Sequence, residues 1–171
     1  MLDLAINHED TLKKKMVSIM FDEKYKFFND NSHYSEFKVD KENIGWNNYE
    51  CVSVLNGEVL GYFRVRIDVD CGYYKSLVIV NFSDNKIVFG KDLVAFLNKI
   101  FSREDMYKLC FSVVVGNPIE KTYDKFVSKY GGSIVGKFKK HAKLFDGKLY
   151  DMKSYEIFRE DFIKNTKKEI K

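Results

Sequence analysis

Apolar residues at Leu12, Met16, Ile19, Met20 and Phe27 recur at the spacing of one helical face, with Lys, Asp and Glu between them. This predicts an amphipathic helix over positions 9–28. The period is lost over positions 29–48, which carry Asn-Asp-Asn-Ser and few apolar residues beyond Phe37, Val39, Ile44 and Trp46; a long, mostly irregular connection is expected there. Two β-rich runs, 49–55 and 58–67, flank Asn56-Gly57. That pair suits a turn in which both central residues take positive φ, so a two-residue hairpin is predicted. The continuous apolar runs KSLVIVNF (75–82) and LCFSVVV (109–115) read as strands buried on both faces. Between them, Leu93, Val94, Leu97 and Ile100 predict a helix over 91–101. Gly116-Asn117-Pro118 opens a further helix to about Tyr130, and Gly131-Gly132 suits a left-handed cap at its end. Strands over 133–145 and 148–157, joined at Asp146-Gly147, and a short basic helix complete the chain.

Strand, helix, strand in the middle demands a parallel pair joined by a right-handed crossover, whereas the hairpins are antiparallel. The expected class is therefore α/β (α+β), with a mixed, mostly antiparallel sheet flanked by helices. No repeat or Pro/Gly/Ser linker divides it, so one domain is expected.

The 171 residues, 45% hydrophobic and 16% aromatic, can bury a sizeable core and are too apolar for a disordered chain. No apolar run approaches the roughly 18 residues that span a bilayer, and positions 1–10 lack the basic start and apolar stretch of a signal peptide. A cytoplasmic protein with no membrane partner is expected. Cys51, Cys71, Cys110, His8, His33 and His141 show no metal-ligand spacing, so neither a metal site nor a disulfide framework is expected. The net charge of +4 rests almost wholly on Lys, with Arg at 64, 66, 103 and 159 alone. Specific nucleic-acid readout, which favours Arg forks, is not expected. The Lys runs at 13–15, 137–143 and 164–171 read as solvated faces and a frayed tail, with a weak polyanion surface as the alternative.

The order of elements resembles the GNAT fold of the Gcn5-related N-acetyltransferases. In that family a phosphate loop, [QR]-x-x-G-x-[GA], precedes a helix beginning x-x-L-L. Asn85-Lys86-Ile87-Val88-Phe89-Gly90 and then Lys91-Asp92-Leu93-Val94 fall into that register. The family's next strand ends in an Asn, followed by a helix and a glycine turn, as Asn117 and Gly131-Gly132 do here. Positions 143–151 and 155–160 are similar to the closing stretch of the ribosomal-protein N-terminal acetyltransferase branch and of acetyltransferase-like proteins of bacteria and phages. The resemblance covers 49–162, leaving an N-terminal helix and polar loop (1–48) and a basic tail (163–171) of the same GNAT-like domain.

The resemblance implies direct acetyl transfer from acetyl-CoA, as co-substrate, to a primary amine of a protein or small molecule. It implies that two parallel strands splay and that pantetheine pairs with the backbone of Val80, Asn81 and Phe82. Asn85 would open the phosphate loop, backbone N–H groups of Val88, Phe89, Gly90 and Lys91 would face the pyrophosphate, and Asn117 would bond the pantetheine arm. Two departures stand out: Val88 occupies the first loop-glycine position, and Asn85 the [QR] position. The leaving-group tyrosine position holds Val127. Tyr123, one helical turn earlier, is the candidate general acid; alternatively it belongs to an apolar face with Ile119, Phe126 and Tyr130. Ser112 is a candidate thiolate donor or a backbone-bonded strand serine. Asp68, Asp70, Tyr73 and Lys75 are candidates to line the amine pocket; a turn rich in Asp and Gly explains positions 68–72 equally well. His141, among Lys139, Lys140 and Lys143, reads as a surface residue, and Cys71 and Cys110 lack a legible His/Asp partner for nucleophilic catalysis. The departures keep a second reading open, a catalytically silent GNAT-fold binding or assembly module, phage-associated. A homodimer is likewise left open.

Overall fold

The computed structural model describes residues 1–28, 37–41 and 45–169. The elements are β1 (Leu2–Leu4), α1 (Glu9–Ser18), β2 (Asn48–Leu55), β3 (Glu58–Asp68), β4 (Tyr73–Asn81), α2 (Lys86–Phe101), β5 (Lys108–Val114), α3 (Glu120–Lys129), β6 (Ser133–Lys143), β7 (Leu149–Phe158) and α4 (Arg159–Glu169). Short 3-10 turns occupy Ala5–His8 and Glu23–Tyr25. One seven-stranded sheet has the order β1-β2-β3-β4-β5-β7-β6, antiparallel except for β4 against β5. The predicted class holds.

Local chemistry sets several junctions. Asn56 and Gly57 both take positive φ, 51° and 81°, and turn β2 into β3 as expected. Gly131, at φ 76°, ends α3 in the left-handed conformation, and Gly132 N–H bonds Val127 C=O at 2.8 Å. The last hairpin differs from its two-residue expectation. Its loop spans 144–148, closed by Leu144 N–H on Lys148 C=O and by Lys148 N–H on Asp146 Oδ1.

The sheet separates two apolar layers. On one face Phe63, Val65, Leu109, Phe111, Tyr155 and Ile157 meet Phe89, Phe96, Leu97 and Ile100 of α2, Val127 of α3 and Phe162 of α4. On the other, Val52, Tyr62, Val78 and Val80 are covered by Leu12 and Met16 of α1, with Ile19 and Val39. The first layer depends on Gly61: a Cβ there would lie 2.2 Å from Phe89 Cε2 and 2.7 Å from Val80 O. Its missing side chain lets α2 sit directly on β3.

Four expectations are corrected. The helix expected to run to about position 28 ends at Ser18; Ser18 Oγ bonds Lys15 C=O, and Phe21 takes φ 62°, which an α-helix cannot contain. Phe27, which kept the helical spacing, packs instead beside Val114, Ala142 and Leu144. Strand β1, too short to carry a pattern, pairs Leu2–Leu4 with β2. The two central strands are buried alternately rather than on both faces: Ser76 and Ser112 are exposed. Finally, α2 starts at Lys86, so positions 86–90 are helix rather than loop. Of the connection expected over 29–48, positions 29–36 and 42–44 lie outside the described residues. Among the described residues no helix is long and apolar enough to cross a membrane.

Glu50 is a buried carboxylate on the α1 face, 7% exposed, accepting the Tyr62 hydroxyl at 2.7 Å. Burial pushes its carboxyl above the usual range, against the pull of the Tyr62 bond. The folded chain therefore holds the Glu50 proton more tightly than the unfolded chain does. Its contribution is fully present below the unfolded pKa and is lost as pH rises through the folded one. Thermal melts of wild type and Glu50→Gln should show the wild type losing ground to the variant as pH rises from about 4.3, the unfolded carboxyl value. Gly61→Val should cost roughly 1–3 kcal/mol in denaturant unfolding, the usual penalty of overpacking, because Val80 O is backbone and cannot withdraw as the Phe89 ring can.

Candidate active site: a wedge between two parallel strands

Strands β4 and β5 are paired only at Tyr73↔Lys108 and Tyr74↔Leu109. Beyond that point each remains in the sheet by its outer edge, β4 on β3 as far as Gly61↔Asn81 and β5 on β7 as far as Val114↔Met152. The cause lies in β4. Its register on β3 shifts between Arg64↔Val78 and Arg66↔Lys75, so that Ser76 and Leu77 together face Val65. Ser76 takes φ 56°. Such a bulge bends and twists its strand, and here it begins at Ser76, two residues past the last β4–β5 pair at Tyr74. The result is a wedge whose inner edges carry backbone N–H and C=O groups without a ladder partner. An extended ligand bearing amides is the chemistry that satisfies such edges.

The hydrogen-bond phase identifies which groups face the gap. Phe82 N–H bonds Leu60 C=O at 2.8 Å. By the alternation of an antiparallel ladder, Asn81 and Ile79 then direct their N–H and C=O away from β3, and Val80 toward it. Of the expected Val80, Asn81 and Phe82 backbone, Asn81 alone faces the gap, and Ile79 joins it. Ile79 could have been found from the two-residue period once one pair was placed. The Asn81 C=O accepts the Tyr25 hydroxyl at 3.0 Å.

At the open end of the wedge stands the N-terminus of α2. The family pattern assigns Val88, Phe89, Gly90 and Lys91 N–H groups to a pyrophosphate, but these residues lie inside the helix. Val88 N–H bonds Asn85 Oδ1 at 3.1 Å, Phe89 N–H bonds Asn85 C=O at 3.3 Å, and Lys86 N–H bonds Asp84 C=O at 2.9 Å. Gly90 and Lys91 donate within the helix. Asn85 is a good N-cap residue, and Val88 lacks the freedom with which glycine holds an open loop. The free first-turn donor is the Ile87 N–H, flanked by the exposed side chains of Lys86 and Lys91.

Tyr123 of α3 lies beside the β5 wall, edge-on to Phe111 at 5.4 Å and to Tyr155 at 6.4 Å. Desolvation pushes its phenol up to about 12. Tyr123 thus packs on the apolar layer against Phe111 and Tyr155, as the second of its two sequence readings has it, and its phenol is protonated there. Val127 is buried in the core and carries no polar group. Ser112 projects to the opposite face of β5, exposed, with its Oγ 2.7 Å from Ser154 Oγ, so it is bonded to a side chain and not to backbone. Asn117 follows β5, its Oδ1 accepting Ile119 N–H at 3.1 Å.

Sequence reasoning missed the network that fixes α3. Lys153 of β7 bridges Glu120 and Asp124, Tyr155 donates to Asp124 at 2.8 Å, and Glu120 Oε2 accepts Gly116 N–H at 3.0 Å. These contacts hold the helix on both sides of Tyr123. Near the closed end of the wedge, Asp40, Asn48, Arg66, Asp68, Asp70 and Lys75 line a cavity of about 490 Å³. Lys75 sits 2.6 Å from Asp68 and, with the Cys71 N–H, holds that carboxyl below its usual range. Asp68 is thus an anion at neutral pH. Tyr73 lies instead against the Lys75 and Lys108 ammonium groups, 5.8 Å from each. His141 is exposed, against Phe138.

The chain's own groups fit the arm of CoA better than its pyrophosphate. The wedge offers the Ile79 N–H and C=O and the Asn81 N–H, with the Asn81 C=O held by the Tyr25 hydroxyl, whereas the helix end offers the Ile87 N–H until Asn85 moves.

No family sequence model matches the chain, and no curated protein matches it in sequence. Solved structures do match in shape. A spermidine N-acetyltransferase from Vibrio cholerae, in complex with CoA and spermine, aligns with TM-score 0.68 at 13% identity, over 95% of this chain and 97% of its own. RimL, a ribosomal L7/L12 N-acetyltransferase in complex with CoA, gives 0.67 at 13% identity over 92% of each chain. A GNAT-family acetyltransferase from Streptococcus pneumoniae gives 0.54 at 19% over 66% of this chain and 67% of its own. Two further acetyltransferase-like structures are spanned over only 60% and 64% of their length. These likenesses, with the strand order and the parted parallel pair, establish that the chain has the fold of the GNAT N-acetyltransferases.

Proposed function

We propose that the protein is an acetyl-CoA-dependent N-acetyltransferase that transfers the acetyl group directly to a primary amine. The observation that carries this reading is the wedge, two parallel strands held apart by a bulge with their inner edges unpaired. The co-substrate, when bound, supplies an activated acetyl thioester. The residues of the chain supply the rest. Ile79 and Asn81 offer N–H and C=O groups along β4 that can hold an amide-bearing arm extended. Ile87 N–H, the positive end of α2 and the Lys86 and Lys91 ammonium groups favour an anion at the open end. The Tyr123 Oη keeps its proton at neutral pH and is suited to deliver it to a leaving thiolate. The carboxylates of Asp40, Asp68 and Asp70 around the neighbouring cavity suit a cationic amine. The structural neighbours act on spermidine and on a ribosomal protein, so polyamines and peptide N-termini are the first acceptors to test, by mass spectrometry after incubation with acetyl-CoA.

One observation favours the second reading, a GNAT-fold module without catalysis: Asn85 closes the helix end where a phosphate would sit. Calorimetric titration separates the two. On the enzyme reading the wild type binds CoA, and Asn85→Ala, which frees the Val88 N–H, binds it several-fold more tightly while losing about 1 kcal/mol of stability with the cap. Heat change from neither protein at millimolar CoA would establish the silent module. Tyr123→Phe should lower kcat by about a hundredfold or more and leave CoA affinity unchanged. An unaltered kcat would reduce Tyr123 to a packing residue.

A further inference from the structure

The cavity at the closed end of the wedge holds charges of both signs. Asn48, Arg66 and Lys75 form one row across β2, β3 and β4, since Arg66 is paired with each of the other two. Arg66 lies between Val65 and Ile67, which are buried in the layer beneath α2, so the row faces the α1 side. All three line the cavity of about 490 Å³, together with Asp40, Asp68 and Asp70. Lys75 directly follows Tyr74, the last β4 residue paired with β5. The cavity therefore borders the apex of the wedge.

These charges are unequally satisfied. Lys75 and Asp68 hold each other at 2.6 Å, and Asp40 accepts the Asn48 amide at 3.1 Å. Arg66 and Asp70 are exposed, and neither makes a hydrogen bond or ion pair among the described residues. Asp68 keeps the Lys75 ammonium above its usual range, against the push of the Arg66 guanidinium. Two cations thus lie close together, and one of them has no anion. An open guanidinium fork is the shape that a carboxylate fits, through two parallel hydrogen bonds. A polyamine brings only cations; it would set an ammonium against Arg66 and leave the fork unused. The cavity is also of the size of a small-molecule site.

The geometry points to an acceptor that carries a carboxylate as well as amines: a free amino acid with a side-chain amine. Its carboxylate would lie on the Arg66 fork, its α-ammonium among Asp40 and Asp70, and its side-chain amine at the apex of the wedge. This rests on the proposed acetyl transfer and deepens it by naming the class of acceptor. With the anionic end of acetyl-CoA at α2, the thioester end of its arm lies toward the apex. There the amine nitrogen attacks the thioester carbonyl, so that a C–N bond forms and the C–S bond breaks. Of the two protons that the ammonium gives up, one ends on the thiol of CoA and the other passes to solvent.

Lysine and 1,5-diaminopentane differ by the carboxylate alone, so together they isolate the part played by Arg66. Initial rates of acetyl transfer to each are compared in the full-length wild type, Arg66→Gln and Arg66→Lys, with CoA binding to each protein followed by calorimetry. The wild type should show a KM for lysine about tenfold or more below that for the diamine. Arg66→Gln should raise the lysine KM by about tenfold or more, the fold-change of a charge-assisted hydrogen bond. It should leave CoA affinity unchanged and not raise the diamine KM. Arg66→Lys keeps the charge without the fork and should fall between. The wild-type comparison stands alone if the variants fail to fold. Equal use of both compounds by the wild type, or a KM rise shared by both in Arg66→Gln, would overturn the inference and leave acetyl transfer standing. Acetylation of neither compound by a wild type that binds CoA would also overturn it. Absence of CoA binding would overturn the reading on which it rests.

Discussion

The bulge at Ser76 is the constraint on which the site depends. A parallel pair in mid-sheet would ordinarily zip along its whole length and bury its edges. Here two residues of β4 oppose one of β3, Ser76 is forced to positive φ, and the strand turns out of register with β5 after two paired positions. The outer ladders to β3 and β7 keep both strands in the sheet, so the gap is held open by the scaffold and not by loops. A site made from strand backbone is rigid before any ligand arrives, and on the proposed reading its shape suits an extended, amide-bearing arm.

Around that gap the chain places elements of unequal firmness. The α3 wall is fixed by Lys153, Glu120, Asp124 and Tyr155, four polar groups that satisfy one another. The α2 wall sits on Gly61 through Phe89. The open end differs from the expected loop, since α2 already runs over positions 86–90 and Asn85 caps it. On the remaining side residues 20–28 meet β4 through the Tyr25 hydroxyl on Asn81 C=O and through Tyr25 and Phe28, which pack on the layer of Val78 and Val80. The arm of a ligand would thus meet a prepared surface and its phosphates a self-satisfied one. Affinity is expected to come from the wedge more than from the helix end.

The parts legible in the sequence were those set by near neighbours. Asn56-Gly57 and Gly131 wrote their turns directly, because their backbone conformations follow from their own chemistry. The parallel central pair followed from strand-helix-strand order. The start of α2 was legible in principle, since Asn85 three residues before Val88 is an N-cap signal, but the family register overrode it. The path of residues 20–28 was not legible. Phe27 continued a helical period that Phe21 breaks, and the contact that matters joins Tyr25 to a carbonyl 56 residues away. The network around Lys153 was hidden for the same reason, as it joins β7 to α3 across the sheet face. Bulges are also invisible to period counting, because Ser76 lies in a run that reads as unbroken strand.

The central claim is that the inner edges of β4 and β5 form the ligand-binding surface. Its most direct test is a backbone-amide NMR titration of the protein with CoA. The account predicts that the amide resonances of Ile79 and Asn81 move furthest, together with those of β5 from Cys110 to Val114, while β1, β2 and β6 stay in place. Shifts confined to the Lys-rich β6 strand and the C-terminal tail, with Ile79 and Asn81 unmoved, would contradict it.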